Sequence, residues 1–178
     1  MASFPMFALD ARTKQAATVS SQPIPAPTNT LLYIEDLAVG QRFVSASLEL
    51  DAEAIRDFAA RFDPQPFHLD DEAARATLFG GLAASGWHTA SLTMKLMVES
   101  DFKLAGGLVG AGIDELCWPR PTRAGDRLSV EIEVLEINPS RSKPDRGMAR
   151  VLITTSNQAC EIVQCCIARI LVWRRPER

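Results

Sequence analysis

Residues 84–99 restrict the fold more than any other part of the sequence. Ala84, Trp87, Ala90, Leu92, Met94, Leu96, Met97 and Val98 spread apolar side chains around nearly the whole helical circumference, and Lys95 is the only charge before Glu99. Such a helix is expected to be buried on every side. The chain that follows supplies the cover. After Gly106 and Gly107 the apolar period shortens to two, and residues 108–118, 126–137, 148–156 and 159–173 read as strands, with Leu128, Val130, Ile132 and Val134 giving the cleanest alternation. The turn signals PTRAGD and PSRSKPDRG separate the first three, as consecutive antiparallel neighbours require.

Ahead of the long helix, residues 41–50 alternate like one further strand. Asp51 then reads as the N-cap of a helix whose face is Ile55, Phe58, Ala59 and Phe62. Pro64 and Pro66 stop it, residues 70–77 can form a short helix, and Phe79, Gly80 and Gly81 make a turn. One strand, then helices, then four strands is an α+β order. The economical arrangement is an antiparallel β-sheet wrapped around a long buried helix, a hot-dog fold. Residues 31–178 are expected to form this single domain. Residues 1–30, ending in SSQPIPAPTNT, read as an extended arm whose Phe4, Met6, Phe7 and Leu9 are apolar enough to pack over a partner subunit.

Charge and cysteine usage remove several classes of function. A net charge of −3, with basic residues scattered, gives no footprint for a nucleic-acid backbone. Cys117, Cys160, Cys165 and Cys166 form no CxxC pair and have no His at ligand spacing, so neither a metal site nor a disulfide framework is expected. Cys165 and Cys166 should point to opposite faces of a strand as small buried hydrophobes. No apolar run approaches membrane-spanning length, and the N-terminus lacks the basic start of a secretory signal, so a cytoplasmic protein is expected. The glycines of GLVGAG, residues 107–112, are in the wrong order for a dinucleotide loop, and no cofactor is implied.

The sequence has two histidines, His68 and His88. His68 stands five residues after Asp63 in FDPQPFHLD, where Pro64 and Pro66 stiffen the loop and push Asp63 and Gln65 toward extended backbone. A stiff loop holding a carboxylate and an imidazole close together is what positioning a water for attack needs. The spacing is equally compatible with Asp63 capping a turn and His68 packing on the next helix. His88 reads as a core or pocket-wall residue, and Asp114 and Glu115 as solvent-facing.

The run Phe62 to Asp70, followed by Ala73 and Ala74, resembles the hydratase signature of MaoC-like dehydratases and R-specific enoyl-CoA hydratases. Phe79-Gly80-Gly81 leading to Ser85-Gly86, and Trp118, Pro119, Pro121, Gly125, Asp126 and Leu128, resemble two further segments of that family in the same order. The resemblance covers about residues 33–173. It implies a hydro-lyase acting on an enoyl or 3-hydroxyacyl thioester of CoA or a carrier protein, with Asp63 and His68 holding the water and the Gly86 N–H meeting the thioester oxygen. An apolar surrounding that raises the Asp63 pKa would suit that role. Gln65, Pro66, Ser85, Trp87, Thr89 and Met94 are the expected substrate-binding residues. Gln65 stands where the family has Asn, Ser85 where it has His, and Met94 where hydratases carry a site-lining Ser, whose hydroxyl Thr89 or Thr93 could replace. A hot-dog thioesterase and a non-catalytic acyl-binding module are the alternatives. An open sheet edge predicts a homodimer or higher homo-oligomer.

Overall fold

A computed structural model describes residues 30–176, so the expected N-terminal arm lies almost entirely outside the described residues. Among these, the strands are β1 (Arg42–Val44), β2 (Leu48–Glu49), β3 (Val109–Cys117), β4 (Arg127–Pro139), β5 (Arg146–Ser156) and β6 (Ile162–Trp173). They form one antiparallel sheet in the order β1-β4-β5-β6-β3, with β2 also paired to β4. The alternation in β4 is realised: Leu128, Val130, Ile132 and Val134 are fully buried. On the opposite face, Glu131 and Glu133 lie 3.2 and 2.8 Å from the two terminal guanidinium nitrogens of Arg42.

Two expectations about the sheet need correction. The segment 41–50 is two short strands, because Ser45 breaks the ladder: its N–H donates to the Val130 carbonyl while its hydroxyl accepts the Val130 N–H at 2.9 Å. Nor are β3 and β4 neighbours. The PTRAGD stretch carries the chain from β3, at the edge beside β6, across to β4 on the far side of β5.

The helices are α1 (Ala52–Phe62), α2 (Pro66–Leu69), α3 (Asp71–Arg75) and α4 (Gly86–Glu99). Asp51 caps α1 by accepting the Ala54 N–H at 2.7 Å, and Asp70 caps α3 through Ala73 at the same distance. Ile55 and Ala59 bury the inner face of α1, whereas Phe62 ends the helix exposed. The long helix lies against the sheet with Leu96 and Met97 in the main aliphatic core, alongside Val130, Ile132, Val151 and Ile153. It is not buried all round. Trp87, Met94 and Val98 are 60, 50 and 57% exposed, and their spacing puts them along one stripe. Among the described residues only the opposite face is wrapped, and this stripe is left uncovered. Cys166 belongs to the inner core and Cys165 to a cluster on the outer face, as strand alternation requires. Burial pushes the two thiols up to about 11 and about 12.

Candidate active site

The loop between α1 and α2 brings the acid and the imidazole together. The Asp63 N–H closes the last turn of α1 on the Ala59 carbonyl at 2.9 Å, after which Pro64 has no N–H to continue the helix. Gln65 takes the extended backbone expected before a proline. Pro66 then occupies the first position of α2, where a missing N–H costs nothing, so His68 sits in a helical turn that the sequence reading did not include. His68 is buried, and its Nδ1 lies 2.7 Å from the Ala83 carbonyl oxygen. A carbonyl can only accept, so Nδ1 carries a proton, and whenever the ring is neutral Nε2 presents its lone pair. That atom is 3.4 Å from Asp63 Oδ2.

The other carboxylate oxygen, Oδ1, accepts the Gln65 side-chain amide at 2.7 Å. The longer amide thus still reaches the acid. Burial pushes the Asp63 carboxyl upward, but hydrogen bonding from Ser85 and Gln65, joined by attraction to His68 when that ring is protonated, outweighs it and holds the pKa below the ordinary carboxylate value. This overturns the expectation of a raised value: the surroundings of Asp63 are rich in donors rather than apolar.

Ser85 is buried at the head of α4, where its Oγ accepts the Trp87 N–H at 3.2 Å and keeps its own proton for Asp63. Gly86 opens the helix, so its N–H has no carbonyl partner within the helix. The Trp118 ring lies across it. A Cβ at position 86 would fall 2.7 Å from the nearest ring carbon, which only glycine avoids.

The Ala83 carbonyl that fixes His68 is itself held from outside. Arg123 donates to the carbonyls of Gly81 at 3.0 Å, Leu82 at 3.1 Å and Phe79, while Asp71 accepts the Leu82 N–H at 3.0 Å. Arg123 is set by a turn in which Gly125 takes a φ of +85° and Asp126 accepts the Arg123 N–H at 2.7 Å. The Gly-Asp pair therefore acts on the site at a distance, through Arg123.

A cleft of about 320 Å³ is lined by Gln65, Phe67, His68, Phe79, Ala84, Gly86, Thr89, Trp118, Arg120, Pro121 and Thr122. Of the expected residues, Gln65, His68, Gly86 and Thr89 line it, and Asp63 stands behind Gln65 and His68. Pro66, Ser85, Trp87 and Met94 do not. Pro66 serves α2, Trp87 packs edge-on against Trp118, and Met94 faces outward. The Thr89 hydroxyl contacts both the Ser85 carbonyl at 3.4 Å and the Thr122 hydroxyl at 3.0 Å. Sequence reasoning missed Phe67, Phe79, Thr122 and Trp118 as wall residues, although Phe67, Phe79 and Trp118 stand within the motifs it singled out. His88 stacks on Phe58 with ring centroids 4.5 Å apart, outside the cleft, and burial lowers its pKa against the opposing effect of Asp51. Asp114 forms ion pairs with Arg150 and Arg169 at 3.1 and 3.0 Å. Among the described residues, no group of three His, Cys, Asp or Glu side chains could hold a metal, and no helix is long and apolar enough to cross a membrane.

The sequence profile of the MaoC like domain matches residues 36–157, more than half of the chain. A crystal structure of a MaoC-like dehydratase from Rhodospirillum rubrum superposes with a TM-score of 0.80 at 58% identity, covering 82% of this chain and 99% of that one. The uncharacterized protein YdeM of Bacillus subtilis is 33% identical over 71% of this chain and 89% of its own. A 3-hydroxybutyryl-CoA dehydratase of Methylorubrum extorquens is 32% identical over 66% of this chain and 73% of its own. With its motifs set around one cleft in this fold, the chain belongs to the MaoC-like domain family, which includes hydratases and dehydratases.

Proposed function

We propose that this cleft adds water to an enoyl thioester of CoA or an acyl carrier, and removes it from the 3-hydroxyacyl thioester. The observation that carries this reading is the pair of facing acceptors, Asp63 Oδ2 and His68 Nε2, 3.4 Å apart near the first amide of α4. A water donating one O–H to each satisfies both and keeps a lone pair for the β-carbon. As the C–O bond forms, negative charge moves to the thioester oxygen, where the Gly86 N–H and the helix N-terminus stabilise it. A carboxylate with a lowered pKa is a weak base, so the proton passes to His68 while Asp63 orients the water and stabilises the imidazolium. Delivery of that proton to the α-carbon completes the addition, and the reverse sequence is dehydration. The 3-hydroxybutyryl-CoA dehydratase among the relatives supports the same chemistry.

The working unit in this reading is a homodimer or larger homo-oligomer in a reducing cytoplasm. The apolar stripe of α4 and the exposed Val109 and Ile113 of edge strand β3 offer a second copy both a helix face and an unpaired strand. Sedimentation that gives a monomer at micromolar concentration would contradict this.

Crotonyl-CoA tests the reaction. Loss of the enoyl absorbance without appearance of free thiol is the expected result. Thiol release would mean hydrolysis, and binding with neither change would mean an acyl-binding module.

A further inference from the structure

Gln164 is a polar residue on the inward row of β6, a row otherwise made of Cys166, Ala168, Ile170 and Val172, and it is 2% exposed. Its partners fix its orientation. Trp118 Nε1 lies 2.8 Å from Gln164 Oε1, and an indole nitrogen can only donate. The amide nitrogen must then face the other way, and it donates to Thr93 Oγ1 at 3.0 Å. Thr93 gives its own proton to the Thr89 carbonyl at 2.9 Å and accepts from the Thr155 hydroxyl at 2.7 Å. Thr155 and Gln164 are themselves cross-strand partners of β5 and β6. The result is a directed chain of hydrogen bonds from the cleft wall to the helix, with its hydroxyls and amide buried.

This chain occupies the space between the N-terminal half of α4 and the sheet. An acyl group whose thioester oxygen meets the Gly86 N–H lies in a cleft lined by Trp118, Thr89, Thr122 and the rings of Phe67 and Phe79, with the Trp118 ring directly against Gly86. Extension beneath the helix would require carbons to displace the indole or to lie against Gln164, Thr93 and Thr155. Those groups are paired with one another, and separating them would strand buried donors and acceptors. The indole cannot swing away while its N–H is held by Gln164 and its ring is seated against Gly86. We infer that Trp118, held by Gln164, forms the end wall of the acyl site and confines this protein to short-chain enoyl and 3-hydroxyacyl thioesters. The inference rests on the hydratase reading above. Trp118 determines specificity directly, and Gln164 acts through it as a positioning residue.

The test is the ratio of kcat/KM for octenoyl-CoA to that for crotonyl-CoA, which is independent of the fraction of protein that is active. The wild-type ratio is expected to be well below one, and Trp118→Leu to raise it at least about tenfold, the discrimination that a few methylenes carry in a pocket. Gln164→Leu, which frees the indole without removing it, is expected to move the ratio the same way by a smaller factor. A wild-type ratio near one overturns the inference without recourse to any variant. A low wild-type ratio that neither substitution changes overturns the assignment of the wall to Trp118 and Gln164. If the wild type hydrates no enoyl-CoA, the hydratase reading fails and the inference with it; turnover with a flat chain-length profile removes the inference alone.

Discussion

The two halves of α4 rest on the same sheet but on different chemistry. At the C-terminal half, Leu96 and Met97 pack among Val130, Ile132 and Val151, where every contact is interchangeable hydrocarbon. At the N-terminal half, Thr89 and Thr93 meet Thr122, Thr155 and Gln164, where each atom has an assigned partner. The aliphatic end anchors the helix by burial and tolerates changes that conserve volume. The paired end leaves no such latitude, and beside it the Gly86 amide and the Trp118 ring meet the cleft while the Ser85 hydroxyl acts on Asp63. Stability and chemistry are thus separated along one helix, and substitutions should affect one or the other according to which half they touch.

The largest effect is expected at the polar end. Asp63→Asn or His68→Ala should lower turnover of crotonyl-CoA by about 10²–10⁴-fold while the melting temperature moves little. Full activity in either variant would remove the pair from the mechanism. Gly86→Ala should cost about a hundredfold in kcat, because its Cβ cannot coexist with the Trp118 ring and the first amide of α4 must shift. The converse holds at the aliphatic end. Leu96→Ala should lower stability by about 2–5 kcal/mol in urea titrations, with kcat/KM at a permissive temperature nearly unchanged. A large fall in kcat/KM there would break the division between the halves.

Ser85→Ala gives the smallest and most local effect: removing a donor should raise the Asp63 pKa, read by carbon NMR of the labelled carboxyl. The sign of the linked stability follows. A carboxyl with a depressed folded-state pKa adds stability that is complete above the unfolded value near 4 and lost as pH falls through the lower folded value. The Ser85→Ala variant should therefore lose less of its stability than the wild type on acidification through that window.

Much of the fold was legible in the sequence. Strand period, the Asp51 cap and the proline stops set the element order, because each reports a local backbone preference. The resemblance around Asp63, His68 and Gly86 pointed to the cleft. Four things were not legible. The edge position of β3 depends on a crossover that no local signal encodes. Composition alone made α4 look fully enclosed, whereas its Trp87, Met94 and Val98 stripe is covered by nothing among the described residues. The depressed Asp63 pKa owes most to Ser85, more than twenty positions away, and the role of Gln164 depends on the Trp118 indole, which stands just past the end of β3. The one available signal was a glutamine on the inward row of an apolar strand, since a buried amide needs partners.

The reaction is tested most directly by running crotonyl-CoA hydration in ¹⁸O-labelled water and locating the label by mass spectrometry. The account predicts an intact thioester with the label on the β-carbon hydroxyl, and predicts that Asp63→Asn abolishes its appearance. Label found in a free carboxylate, with CoA released, would contradict it.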